Sequence, residues 1–227
     1  MGHWQYIAVI GQPVVYGVGF LVLIFVAFGG ELAAPIVRVA HEGGHMLVNL
    51  ISGRWITSFE MEPGDEVTGS GGTGHAGKIA TPAWLSRVFS KFAGYATPPL
   101  VGLVGAHVVA NGNSWGVLTA SVVLLLAVLL IPKINPFALA ITGLLLAGIL
   151  WALIAGSPSV QAAVAVGLVW LMLIGGLRVI VVRKTESDDV AELAKLTWIP
   201  RVVWFVAWLA IGVVCLWVGG RVLLGRA

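Results

Sequence analysis

The sequence predicts an all-α polytopic membrane protein with about 6–7 membrane-spanning helices and a short β-hairpin after the second of them. Of the 227 residues, 59% are hydrophobic and 10% are charged, whereas soluble domains have about 25% charged residues. The mean hydropathy is +0.99. Apolar segments of about 20 residues, the length that crosses a bilayer, recur along the chain. The ten tryptophans suit the two membrane interfaces and helix packing.

Seven apolar segments are long enough to be predicted as spans, and all of residues 1–227 are expected to form one membrane domain. Pro98 and Pro99 in the third segment are expected to break or kink its helix. A short polar helix is predicted after the sixth segment, beginning within about 186–198. The predicted spans are 13–30, 32–52, 92–110, 114–132, 134–156, 159–182 and 202–220.

A segment with strand periodicity separates the second and third spans, at about 54–80. Aromatic and polar side chains alternate there, a Pro63-Gly64-Asp65 turn signal follows, and a glycine-rich return comes next. The pattern predicts a β-hairpin. It is either a plain surface hairpin or an edge strand that pairs with an extended substrate through Trp55, Thr57 and Phe59.

Composition excludes several classes of function. The formal charge of +3 comes from few residues spread along the chain, without a basic cluster interleaved with aromatic side chains, so nucleic-acid binding is not expected. The single cysteine, Cys215, excludes a disulfide framework and a thiolate metal cluster. The first 12 residues contain no Lys or Arg, so no cleaved signal peptide is expected. Any bound metal must be held by His and carboxylate groups.

Residues 41–45 read His-Glu-Gly-Gly-His, an H-E-x-x-H motif within an apolar run. In a helix, His41 and His45 lie one turn apart on one face and can share a metal ion, while Glu42 lies beside them to act on water. Burial of these groups and of Arg38 among apolar neighbours is costly without a partner. The motif therefore indicates a zinc hydrolase. The alternative is a helix whose two histidines only hydrogen-bond to neighbouring helices.

A catalytic zinc takes three protein ligands and leaves one position open. Asp188, Asp189 and Glu192 follow the sixth span, on the same predicted side of the membrane as the end of the second. Their spacing alone favours helix capping, because Asp189 and Glu192 fit a capping box. A carboxylate has two oxygens, so capping does not exclude metal binding, and all three residues remain alternatives for the third ligand.

These motifs together resemble the compact bacterial branch of the site-2-type intramembrane zinc metalloproteases, the peptidase M50B-like family. The resemblance is carried by four stretches: His41 to His45, Gly53-Arg54, Ala93-Gly94-Tyr95, and Asp189 to Ala194 leading to Thr197-Trp198-Ile199-Pro200. It implies a protein integral to the bacterial plasma membrane that cleaves transmembrane proteins. It also implies Zn²⁺ ligation by His41, His45 and Asp189, and Glu42 as catalytic acid and base. The chain lacks the Leu-Asp-Gly motif and the PDZ-like domain of better-known members.

The activity predicted on these grounds is hydrolysis of a transmembrane or membrane-proximal peptide bond. Arg38, one turn before Glu42, would pair with that carboxylate or stabilise an oxyanion. Two other functions use the same residues. One is a membrane metal-ion transporter or metal-binding protein, although the spans from 114 to 182 carry few polar groups. The other is a catalytically inactive homologue that binds membrane partners.

Overall fold

The computed structural model describes residues 5–53, 58–59, 83–131, 133–134, 136–183 and 188–225. Within these ranges the chain is helical apart from short connections and two strands of two residues each. A π-helical turn, Leu171–Gly175, joins α6 to α7. The elements are α1 (Gln5–Phe28, interrupted at Gly11), α2 (Gly30–Ile51), β1 (Ser58–Phe59), α3 (Ala83–Ala110), α4 (Ser114–Leu129), β2 (Lys133–Ile134), α5 (Pro136–Ala155), α6 (Pro158–Trp170), α7 (Gly176–Arg183), α8 (Asp188–Thr197) and α9 (Arg201–Leu223).

The all-α membrane architecture agrees with the prediction, but the predicted number of spans is not confirmed. Among the described residues, five helical stretches are long and apolar enough to cross a membrane: Gly11–Phe28, Trp84–Ala110, Pro136–Ala155, Pro158–Val182 and Arg201–Leu223. α2 has 22 residues but carries the charged and histidine side chains of the motif. α4 has 16 residues, about 24 Å of helix, against a hydrocarbon core of about 30 Å.

The predicted hairpin is not seen in the part of the chain that the structure describes. Residues 54–57 and 60–82, with Trp55 and Thr57 among them, lie outside that part. The described residues of the segment, Ser58–Phe59, form β1, which pairs in parallel with Lys133–Ile134. Among the described residues, the partner of this short strand thus comes from the connection before α5.

Helix α3 holds the central place in the packing, since it contacts α2, α6, α8, α9 and the π-helical turn. It continues through Pro98 and Pro99, so the helix break considered from the sequence does not occur. The two proline rings lie against Gly176, where an added Cβ would be 3.0 Å from Pro99 Cδ and 3.1 Å from Pro98 Cβ. The missing side chain at Gly176 leaves room for both rings.

The short helix α8 is fixed by its apolar side. Val190 and Leu193 are fully buried, both at 0% exposure, in a cluster with Tyr95 of α3 and Trp208 of α9. The indole Nε1–H of Trp208 donates to the Phe92 carbonyl oxygen over 3.0 Å, which ties α9 to α3 beside this cluster. Because Val190 anchors α8, the residue before it is held at a defined place next to α3.

Candidate metal centre

The two motif histidines lie on the buried side of α2 and point to a common place. They are one helical turn apart, and their Nε2 atoms are 3.1 Å apart. The His41 residue is buried at 8% exposure. The helix therefore brings both imidazoles to one place, as the four-residue spacing predicts.

The third group comes from the first turn of α8. The Oδ2 atom of Asp189 is 3.2 Å from His41 Nε2 and 3.3 Å from His45 Nε2. Burial raises the pKa of the Asp189 carboxyl group, but the neighbouring imidazoles of His41 and His45 outweigh this effect and hold the pKa well below its ordinary value. Asp189 is therefore a carboxylate at neutral pH, the form that a metal requires.

The three atoms are spaced as the ligands of a tetrahedral ion are. Their separations of 3.1, 3.2 and 3.3 Å compare with about 3.3 Å between ligand atoms around a tetrahedral zinc with bonds of about 2.05 Å. Two imidazole nitrogens and one carboxylate oxygen are also a donor set that zinc accepts. His41, His45 and Asp189 therefore fit Zn²⁺, and a fourth position is left for another ligand.

The ring of His45 is held in the tautomer that metal binding needs. Its Nδ1 lies 2.7 Å from the backbone carbonyl oxygen of Ser90 on α3. A carbonyl only accepts, so Nδ1 carries the hydrogen and donates it, and the neutral imidazole keeps its lone pair on Nε2. Hydrogen bonds of this kind orient metal-binding histidines in general.

Aromatic contacts fix the ring of His41. The ring meets Tyr95 edge to face, with centroids 4.6 Å apart and an interplanar angle of 86°. Tyr95, itself 7% exposed, packs on Trp208 with centroids 4.6 Å apart. The position of His41 thus depends on α3 and α9 as well as on its own helix.

The remaining predicted residues of α2 lie next to the histidines. One ligand atom each of His41, Glu42 and His45 can be chosen so that all lie within 4.8 Å of one another. The Glu42 carboxylate is therefore close enough to act on a group bound at the same centre. Arg38, one turn before Glu42, is buried at 5% exposure.

The structure separates the three acidic alternatives. Among the ion pairs of the described residues, only Asp189 has an oxygen within 3.3 Å of the Nε2 atoms of both histidines. Asp188 is exposed. The Oε2 atom of Glu192 is instead 3.1 Å from Lys91 Nζ.

A sequence model of the peptidase M50B-like family matches residues 14–219, which includes every element of this centre. The chain belongs to the peptidase M50B-like family. The match confirms the resemblance that the motifs gave and, at a coarse level, supports a membrane peptidase. Comparison of this M50B-like chain with curated proteins and with solved structures finds no match.

Sequence reasoning missed how much of the M50B-like centre is built by α3. It did not single out Lys91, and it treated Gly94 only as part of a short motif. One signal was available: small or polar residues recur every three or four positions along the first half of this otherwise apolar helix. These residues are Ser86, Ser90, Gly94 and Thr97.

Two glycines allow α2 and α3 to meet at the centre. A Cβ added to Gly44, between the two histidines, would lie 2.9 Å from the Ala93 carbonyl oxygen and would clash with Thr97. A Cβ added to Gly94 would lie 2.6 Å from His45 Nε2 and 2.7 Å from His41 Nε2. Contacts this short do not occur for real side chains, so Gly94 forms the wall of the centre.

We expect Gly94→Ala to weaken zinc binding strongly, because the new methyl group must displace one of the two histidine rings. Overpacking of this kind costs about 1–3 kcal/mol, so the melting temperature should also fall. Zinc content after dialysis and thermal unfolding in detergent would measure both effects.

Gly148→Ala is the matched control, since Gly148 is an exposed helical glycine with nothing within 4 Å of an added Cβ. It should keep its zinc and be equally or slightly more stable, because alanine is favoured over glycine in a helix by about 1 kcal/mol. Wild-type zinc affinity in Gly94→Ala would contradict the packing described for α3.

Proposed function

We propose that the chain is an intramembrane zinc metalloprotease that cleaves transmembrane or membrane-proximal peptide bonds. One observation carries the proposal: His41 Nε2, His45 Nε2 and Asp189 Oδ2 lie within 3.1 to 3.3 Å of one another. Glu42 is on the same helix beside them. Membership of a peptidase family supports the same function.

Each residue then has a defined role. His41, His45 and Asp189 hold the metal. A zinc ion held by these residues would supply Lewis acidity at the scissile bond. Glu42 would act as general base toward the attacking water and then as general acid toward the leaving amine. Arg38 either pairs with the Glu42 carboxylate or stabilises negative charge on the substrate.

The position of the motif within α2 supports cleavage below the membrane surface. His41 lies 11 residues after Gly30 and 10 before Ile51, the two ends of the helix, which is about 15 Å of helix on either side. Apolar side chains are exposed along α1, next to α2 in the chain, including Phe20, Leu21 and Phe28. We place the protein in the plasma membrane, with these surfaces facing lipid.

A substrate helix must unwind before cleavage, because its peptide bonds are shielded by its own hydrogen bonds. An extended substrate can add to a strand edge. We assign this role to the segment with Trp55, Thr57 and Phe59, where the described pair Ser58–Phe59 already adopts strand conformation.

The test compares cells that carry the wild-type chain with cells that carry Glu42→Gln. New protein N-termini in the membrane fraction are mapped by mass spectrometry. Wild type should generate termini within or close to transmembrane segments, and these should be absent with Glu42→Gln. Identical sets of termini in both strains would contradict a protease and would favour a metal transporter or an inactive homologue.

Zinc content of the same two purified proteins separates these two alternatives. A metal-binding protein or transporter retains zinc without generating termini. An inactive homologue that has lost its centre has neither.

A further inference from the structure

We propose that Lys91 is a positioning residue that holds Oδ1 of Asp189 and thereby leaves this carboxylate one oxygen, Oδ2, for the metal. The inference rests on the proposed zinc centre and goes beyond it, because it assigns the coordination mode to a residue that is not a ligand. Lys91 lies on α3, one residue after Ser90, whose carbonyl oxygen holds His45. The same turn of α3 thus supports two of the three metal-binding groups.

The contacts of Lys91 are specific. Its ammonium group donates to Asp189 Oδ1 over 3.0 Å and lies 3.1 Å from Glu192 Oε2. The side chains of Lys91 and Asp189 are 25% and 13% exposed, so water competes less with this ion pair than at an open surface. Glu192, one turn after Asp189 on α8, forms a second ion pair with Lys91, and the Glu192 side chain is 41% exposed.

The two oxygens of Asp189 have different partners, and this difference explains the role of Lys91. Oδ2 faces both histidines, while Oδ1 is occupied by the ammonium group. If Oδ1 were free, the carboxylate could turn and bind the same ion through both oxygens. A catalytic zinc centre needs three protein ligand atoms and one open position. A second Asp189 oxygen would fill or crowd that position, so Lys91 keeps the centre four-coordinate.

Cobalt(II) is a suitable probe, since its visible absorption is strong in four-coordinate sites and weaker when a fifth ligand binds. The full-length protein in detergent is loaded with Co²⁺, and bound cobalt is quantified. Wild type should show a strong visible band. Lys91→Met should bind stoichiometric cobalt with a band several-fold weaker, and Lys91→Arg should restore it because guanidinium also donates to a carboxylate.

Lys195→Met is the matched control, because Lys195 is an exposed lysine on α8, the helix that carries Asp189. It removes the same charge and should leave the band unchanged. If Lys91→Met does not yield folded protein, Lys91→Ser replaces it, because the small side chain lets water reach both carboxylates. The serine variant should show the same weak band.

The outcomes separate this inference from the function on which it rests. An unchanged cobalt band in the folded Lys91 variant, with metal bound, overturns the positioning role and leaves the zinc centre intact. A weaker band that Lys91→Arg does not restore, or that Lys195→Met also shows, overturns it as well. A wild-type protein that binds neither cobalt nor zinc overturns the proposed function and this inference with it.

Discussion

Replacement of His41 or His45 by alanine is expected to remove bound zinc and to abolish proteolysis together. Each change leaves a two-ligand centre, and a catalytic zinc needs three protein ligands. Glu42→Gln should behave differently: it keeps stoichiometric zinc and loses about 10²- to 10⁴-fold in cleavage rate, because it removes a general base and not a ligand. Zinc analysis of the purified variants, alongside the cleavage assay, measures both quantities.

His107→Ala is the matched histidine control for these variants. His107 is exposed on α3, and its Nδ1 is 2.9 Å from the Leu103 carbonyl oxygen of its own helix. This variant should retain both zinc and activity. Stoichiometric zinc in the His41→Ala His45→Ala double variant would show that the metal is bound elsewhere.

Asp189→Ala is expected to lose metal affinity and activity to the same extent. The loss should exceed the effect of mutating residues that only support the ligands, which is about 10- to 100-fold. The reason is the position of Oδ2, at 3.2 and 3.3 Å from the two histidine nitrogens. Loss of this carboxylate removes the only anionic member of the proposed ligand set. Competition with a chelator gives the zinc affinity, and the cleavage assay gives the rate.

Asp188→Ala provides the neighbouring comparison. Asp188 is exposed in the first turn of α8, so its removal should cost only about 0.3–1 kcal/mol of helix stability. Its zinc affinity should remain that of wild type. If Asp188→Ala lost zinc and Asp189→Ala kept it, the third ligand would be wrongly assigned.

The helical membrane fold and the meeting of His41 with His45 follow from local sequence. Hydropathy predicts the membrane helices, and the four-residue spacing places the two histidines on one face of a helix. Spacing alone did not predict that Asp189 approaches the histidines, because for an acid at the start of a helix it favours capping. Val190 and Leu193 decide its position by anchoring α8 on α3 and α9, and the apolar spacing of this short helix only hinted at that contact.

Other features depend on contacts between distant segments, which no local pattern contains. Within the described ranges, Ser58–Phe59 pairs with Lys133–Ile134, more than seventy residues away, whereas the nearby turn signal predicted a hairpin. The role of Lys91 depends on α8, which places the carboxylates of Asp189 and Glu192 beside the Lys91 ammonium group. The predicted count of 6–7 spans is not confirmed, because α2 carries the polar groups of the centre and α4 has only 16 residues.

Zinc-edge anomalous diffraction from crystals of the zinc-loaded wild-type protein locates the metal most directly. A single strong peak is expected at about 2.0–2.2 Å from His41 Nε2, His45 Nε2 and one oxygen of Asp189. Glu42 should lie beside this peak without binding it. A zinc peak away from these three residues, or no peak in protein that retains its activity, would contradict a zinc centre built from α2 and α8.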